Sequence, residues 1–337
     1  METIASLGEN ASLKRTISRL NKGDHELVGP GDDAAVIKAT DGRYVVTTDT
    51  MVEGHDFKLE WSSGFDLGWK AVASNIADVA AMGAVPTAVV VALVAPASTP
   101  VKWLEDFADG LREACQTLAP GCAVVGGDLA AGAQIVIAVT AHGDLENREP
   151  VLRSGAQVGD SVAVAGTLGK AASGLQLLFS GNTDAAKSYD EIVAVQLRPQ
   201  PPVALGKEAA LAGVTAMLDL SDGLAKDAAR IAAASEVSIQ IDPSQLIGFE
   251  AVLEGPAQAL AINPGTQTAE ELTRNWVLGG GEDHSLLATF PAGATIPRGF
   301  KVIGKVVQQD QAAVHLGVTP LSAASIDALG WDSVTGN

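Results

Sequence analysis

The chain has 337 residues, enough for two domains that each bury an apolar core. Apolar residues make up 47% and aromatics only 4%, so the 36 glycines and abundant alanines imply close helix–sheet packing rather than disorder. With 22 basic against 40 acidic residues the net charge is −18, which argues against nucleic acid as a partner, and the longest apolar stretch, residues 88–96, is far short of the ~20 needed to span a bilayer.

Leu13, Ile17 and Leu20 fall at helical spacing and predict a helix over residues 1–25. Strands are expected at 34–38, 43–49, 87–94 and 133–141. A helix from 66 to 82 turns Leu67, Trp69, Val72, Ile76 and Val79 inward, and Asn75 and Asp78, three apart, share a face. Thr99 and Pro100 read as the N-cap and first residue of a second helix carrying Leu104, Phe107, Leu111 and Leu118. Residues 143–160 lack periodicity and divide the chain into domains 1–145 and 146–337. Beyond lie a strand (161–165), a helix (171–179), a mobile stretch (181–187) and an extended proline run (198–202). A strand, a turn, a helix (224–234) and a strand (237–241) form an α/β unit. Residues 245–267 are weakly patterned. A helix (268–277), a glycine-rich turn with its strand, and a last strand (301–307) complete an α/β chain. Cys115 and Cys122 match no zinc or redox spacing, and the N-terminus lacks the apolar core of a signal peptide, so a soluble, cytoplasmic protein is expected.

One form recurs four times, an apolar run bearing aspartate beside glycine or a small hydroxyl: GPGDDAAVI (29–37), YVVTTDT (44–50), AVVGGDL (123–129) and AMLDLSDGL (216–224). In the last three a buried strand is expected to deliver a carboxylate at its end. No lysine or arginine lies inside these motifs. Converging carboxylates repel, and burial costs each several kcal/mol, so divalent metal is the expected counter-charge. Oxygen-only ligation by Asp and Thr suits Mg²⁺ rather than zinc. Each motif also has a plain reading. Asp32 and Asp33 point to opposite faces of an extended chain, so one can serve a turn. Ser221 or Asp222 can cap a helix whose amides attract anions. Gly126 and Gly127 let a backbone approach a ligand closely. The stretch GTLGKAASG (166–174) imitates a phosphate loop, but Ala171 follows Lys170 where Ser or Thr belongs. The five histidines form no zinc motif.

The strings GDDAAV, TTDTMVEG, GWKAVASNIADVAAMGA, VVGGD, LRSGAQVGD, LRPQPP, MLDLSDGL, GGGEDHSLL and GWD, in this order from about residue 29 to 332, resemble the thiamine-monophosphate kinase family. The resemblance implies a two-domain fold like that of aminoimidazole ribonucleotide synthetase (PurM-like). Its N-terminal sheet domain would lie at a homodimer interface, with an α/β domain following. It implies transfer of the γ-phosphoryl group of ATP to thiamine monophosphate, giving thiamine diphosphate and ADP, with several Mg²⁺ ions and no protein side chain certain to act as catalyst. By motif position, Asp33, Thr47, Thr48, Asp49, Asp78, Asp128, Asp219 and Asp222 would bind magnesium. Gly127, Asp128, Arg153 and Ser221 would contact ATP. Asp56, Glu282 and Trp331 would meet the thiamine moiety, Trp331 by stacking on its cationic heterocycles. Three strings depart from the family pattern on the acceptor side: EGHDF for EG-x-HF, GEDHSL for GEDYEL, and GWDSV for GWDHF. Selenophosphate synthetase would need a reactive cysteine near the N-terminus and the hydrogenase-maturation relative one at the C-terminus, and neither is present. An aminoimidazole ribonucleotide synthetase-like enzyme is the alternative within the superfamily. A non-catalytic nucleotide- or metal-binding protein is the alternative outside it.

Overall fold

The computed structural model describes residues 2–7, 9–28, 36–261 and 267–329. They divide into two compact units, residues 1–80 with 84–149, and residues 81–83 with 150–337.

The first unit runs α1 (Ile4–Leu7), α2 (Glu9–Ile17), β1 (Glu26–Val28), β2 (Val36–Ile37), β3 (Val45–Val52), α3 (Gly64–Ala81), β4 (Val85–Ala95), α4 (Val101–Leu118), β5 (Ala123–Ala131) and β6 (Val136–Asp144). Its main sheet has the order β3-β6-β4-β5. Alternation sets the two faces: Val89, Val91 and Leu93 of β4 are buried with Val139 and Ala141 of β6. The intervening residues, Val90 and Ala92 among them, face outward. Helix α3 covers the inner face, which a Cβ at Gly143 would enter 2.2 Å from Val79 Cγ1. Helix α4 buries Leu104, Phe107, Leu111 and Cys115, spaced as one helical stripe. The two helices touch backbone to backbone: a Cβ on Gly68 would stand 2.1 Å from the Phe107 carbonyl oxygen, and one on Gly110 2.1 Å from that of Phe65.

The second unit runs β7 (Ser161–Ala165), α5 (Lys170–Phe179), α6 (Thr183–Ser188), α7 (Asp190–Leu197), α8 (Val203–Leu211), β8 (Ala216–Leu220), α9 (Leu224–Ser235), β9 (Ser238–Ile241), α10 (Pro243–Glu250), a 3-10 turn (Ala251–Leu253), α11 (Glu254–Leu260), α12 (Ala269–Gly279), β10 (Ser285–Phe290), β11 (Phe300–Val307), β12 (Val314–Leu316), β13 (Thr319–Pro320) and α13 (Ala323–Leu329). Its seven strands take the order β13-β12-β9-β11-β7-β10-β8. Both faces of the central strands are covered. Val162, Val164, Leu218, Leu220 and Leu287 join a core with α9 and α12. Ala163, Ala165, Met217, Leu286 and Phe290 join another with α8. That double burial explains why β7, β8 and β10 are mostly apolar on both faces rather than alternating.

Several expectations are corrected. Among the described residues the N-terminal helical stretch ends at Ile17, so Leu20 lies beyond it. Val101, not Pro100, is the first residue of α4, and no side chain caps it. The stretch expected to be mobile holds α6, capped by Asn182 on the Ala185 amide. Prolines mask α8, which starts directly after Pro202, and the weakly patterned region holds α10, with Asp242 as cap and Pro243 in its first turn. Asp49 and Asp128 lie inside β3 and β5 rather than at strand ends, and β3 is a largely exposed edge rather than a buried strand.

Candidate functional site

On β3, alternate side chains divide the TTDT motif between two faces. Thr47 donates a hydrogen bond to Asp78 Oδ2 on α3 (2.8 Å), and the Asp49 amide donates to Asn75 Oδ1 one turn earlier (3.1 Å). Asn75 and Asp78 do share a helix face, and it meets the face of β3 that carries Thr47 and Asp49. Thr48 points the other way, donating to the Val139 carbonyl and accepting from Thr140. Its hydroxyl therefore stands apart from the Asp49–Asp78 group.

Asp128 is not beside Asp49. Register carries Asp49 across Val139 and Val91 to Gly127, so Asp128 lies one residue on and faces the opposite side. Three strand spacings, about 14 Å, separate the two edges. A Cβ on Gly127 would stand 2.2 Å from the Val91 carbonyl, so strand packing alone requires glycine there. Gly126, by contrast, has open space where a side chain would be. Gly126, Gly127 and Asp128 line a mostly apolar cavity of about 760 Å³, with Leu20, Tyr44 and Phe107 among its walls.

In the second unit two motifs distant in sequence meet. Glu282 N–H donates to the Ser221 carbonyl (3.0 Å) and His284 N–H to that of Leu220 (3.1 Å), so GGGEDHSL lies against DLSDGL. Asp219 is buried on β8, with its Oδ2 3.2 Å from His284 Nδ1. Glu282 and His284 hold left-handed backbones (φ 70° and 48°), an uncommon conformation for non-glycine residues that clusters at functional sites. Gly223 takes φ 104°, and a Cβ there would stand 2.5 Å from the Gly279 carbonyl. Gly223 fills the N-cap position of α9 with no side-chain cap, so neither Ser221 nor Asp222 serves as the cap. Asp222 is instead held by Arg230, and its amide donates to Asp227 Oδ2 (3.0 Å).

Arg153 is exposed, and its carbonyl accepts from Ser235 at the far end of α9. Leu152 pairs with Met217, four residues before Ser221. Arg153 and Ser221 are thus separated by about 13 Å of strand. Asp56 accepts the Val52 amide (2.7 Å) and lies against His55 Nδ1 (3.0 Å), closing the turn after β3. Asp33 and Trp331 lie outside the described residues.

Two carboxylates missed by the sequence reading belong to the second set. Asp227 is fully buried, and burial pushes its pKa up to about 7 against the pull of Arg230, with Asp219 adding repulsion. The signal was available: Asp227 sits three residues after Leu224 and four before Ile231, on the buried stripe of α9. Asp283 is buried at the start of α5, where it accepts from Thr167 Oγ1 (2.5 Å) and the amides of Gly169, Lys170 and Ala171 favour its charged form. It takes up the turn amides of GTLGK, so that stretch holds a carboxylate of this chain. Burial still pushes its pKa up to about 6, above the usual 3.8. Folding therefore favours the protonated form. The contribution is fully present below about pH 4 and lost as pH rises through about 6, an effect of up to ~3 kcal/mol. Asp283→Asn does not titrate. In urea unfolding, the variant's stability relative to the parent should rise by about that amount between pH 4 and 7.5. A gap independent of pH would contradict the burial argument.

Among the described residues, no three His, Cys, Asp or Glu side chains stand close enough to enclose a metal by themselves. Magnesium does not require this, since it keeps several waters and takes one or two carboxylates, with phosphates supplying the rest. The Thr47–Asp49–Asp78 set and the Asp219–Asp222 set, oxygen donors throughout, fit that use. No described helix is long and apolar enough to cross a membrane.

Two family models match, AIR synthase related protein, N-terminal domain over residues 31–145, and AIR synthase related protein, C-terminal domain over 157–267. The chain is 43% identical over 305 residues to the thiamine-monophosphate kinase of Mycobacterium tuberculosis, covering 90% of this chain and 86% of the relative. It resembles the crystal structure of thiamine-monophosphate kinase from Stenotrophomonas maltophilia with a TM-score of 0.72 at 31% identity, covering 92% and 96% of the two chains. The structure of AaThiL complexed with AMPPCP and TMP gives 0.70 at 29% identity, covering 95% and 97%. The expected two-domain α/β fold is the one these matches share.

Proposed function

The chain belongs to the thiamine-monophosphate kinase family, and from that premise we infer that it transfers the γ-phosphoryl group of ATP to thiamine monophosphate, giving thiamine diphosphate and ADP. The observation that carries this reading is the 43% identity sustained over 305 residues, across both units. The local geometry supplies the chemistry.

In the first unit, Gly126 and Gly127 offer backbone to ATP, and Asp128 would hold a magnesium ion shared with its phosphates. Thr47, Asp49 and Asp78 hold magnesium on the other face of the sheet. Thr48 and Asp33 complete the motif-based set. In the second unit, the uncapped amides opening α9 attract phosphate, Ser221 contacts the nucleotide, and Asp219 and Asp222 hold magnesium. Arg153, lying away from Ser221, contacts a different part of the ATP. Magnesium held by these carboxylates would supply neutralisation of phosphate charge, so that two anionic groups could approach in line. The acceptor is a phosphomonoester with a second pKa near ~6, so its oxygen is ionised at neutral pH and needs no protein base. Transfer is direct; an aspartyl phosphate trapped after incubation with ATP alone would refute that step.

Glu282, presented on its left-handed turn, balances the charge of the thiamine ring, while Asp56 and Trp331 complete the acceptor contacts. Trp331→Ala should raise the KM for thiamine monophosphate about tenfold or more while the KM for ATP changes less than twofold, measured by steady-state kinetics. Equal effects on both would oppose stacking. The protein acts as a homodimer: the outer sheet face around Val46, Val90 and Ala92 is apolar yet solvent-facing, and Val46 is 56% exposed. Buried, unpaired Cys115 and Cys122 accord with a cytoplasmic protein. The test is an acceptor screen. ATP and Mg²⁺ are mixed with thiamine monophosphate, thiamine, or a formylglycinamidine ribonucleotide, and products are separated by anion exchange. Thiamine diphosphate formed only from thiamine monophosphate supports the reading, and phosphorylation of another acceptor in its place overturns it.

A further inference from the structure

One carboxylate oxygen of Asp222, Oδ2, is already engaged by cationic side chains. Arg230 places one guanidinium nitrogen, Nη2, on Asp222 Oδ2 and the other, Nη1, on Asp227 Oδ1 at 2.5 Å. Lys226 Nζ adds a longer approach to Asp222 Oδ2, 3.9 Å. The two acids differ in setting. Asp227 is wholly buried, whereas the Asp222 side chain keeps 21% of its exposure. The remaining oxygen of Asp227 accepts the Asp222 backbone N–H (3.0 Å). A planar fork on two carboxylates is a use for which Arg, with two terminal nitrogens, is suited and Lys is not.

This asymmetry has an energetic consequence. A buried carboxylate stripped of its cation is costly, so Arg230 cannot leave Asp227. A partly exposed ion pair is worth far less, so Asp222 is the end that can be released. We propose that Arg230 is a stand-in cation that holds Asp222 in place until a divalent ion takes it over, and that Asp227 is the anchor keeping Arg230 paired after the exchange. Arg230 and Asp227 are positioning residues that act through Asp222. The inference rests on the proposed role of Asp222 as a magnesium ligand.

The two residues then have opposite effects on metal demand. Removing the fork frees Asp222 and favours the divalent ion. Neutralising the anchor leaves Arg230 with Asp222 as its sole carboxylate and opposes the ion. A purely structural network would shift both variants the same way.

The experiment measures binding of a non-hydrolysable ATP analogue to the full chain as Mn²⁺ is titrated, and reads the Mn²⁺ midpoint. Metal-free thermal unfolding confirms that each variant is folded. Arg230→Gln should lower the midpoint roughly three- to tenfold, and Asp227→Asn should raise it by a similar factor. Arg230→Lys keeps a cation for Asp227 but has no second nitrogen for Asp222, so it should lower the midpoint too. This variant keeps the test decisive should Arg230→Gln fail to fold. Asp222→Asn should raise the midpoint. If Asp222→Asn leaves it unchanged, Asp222 is not a ligand, and both that assignment and the exchange fall. If Asp222→Asn raises it while the Arg230 variants leave it unchanged or raised, or Asp227→Asn leaves it unchanged or lowered, the exchange alone is overturned.

Discussion

Asp49→Asn is expected to lower kcat on the order of a thousandfold, the scale seen when a group that balances transition-state charge is removed. The substitution is nearly isosteric. The Asp49 amide keeps its bond to Asn75, and the side chain is exposed on an edge strand, so the unfolding free energy should move by less than about 0.5 kcal/mol. What changes is charge. A neutral amide cannot offset a cation shared with phosphate, and Asp78, already bonded to Thr47, would be left to hold it. Steady-state kinetics at several Mg²⁺ concentrations, with circular dichroism for the fold, checks this. Full activity in a folded variant would remove Asp49 from the metal set.

Gly110→Val is expected to cost at least ~3 kcal/mol, lowering Tm by about 6–12 °C for a domain of this size. The obstacle is backbone rather than a yielding side chain. Even a methyl group at Gly110 would stand 2.1 Å from the Phe65 carbonyl oxygen, and Gly68 meets Phe107 equally closely from the facing helix. Relief requires α3 and α4 to separate, and α3 carries Asn75 and Asp78. Activity should therefore fall together with stability. Calorimetry showing Tm within about 1 °C of the parent would contradict the packing.

The aspartate motifs were legible because their chemistry is local: glycine, hydroxyl and carboxylate in a row need no tertiary information. The shared face of Asn75 and Asp78 was legible too, since helical period fixes it. Sheet order was not. Nothing within AVVGGDL says that two strands, β6 and β4, separate β5 from β3, and the register that turns Asp128 and Thr48 away from Asp49 is set by long-range pairing. The approach of GGGEDHSL to DLSDGL likewise depends on β10 pairing with β8 across a gap of some sixty residues. Helices α6, α7 and α8 escaped notice because segments this short carry weak periodicity, α8 lying behind a proline run as well, and tertiary packing stabilises them. Asp227 lies outside the aspartate motifs, although its spacing from Leu224 and Ile231 marked it as buried.

The most direct test of magnesium-assisted transfer is a crystal of the chain grown with Mn²⁺, a non-hydrolysable ATP analogue and thiamine monophosphate, with the metals located by anomalous scattering. Mn²⁺ peaks within coordination distance of Asp49 and Asp78, and of Asp219 and Asp222, each also touching a phosphate oxygen, are the predicted result. Phosphates held with no metal at either set, or metals bound only at unrelated surface carboxylates, would contradict it.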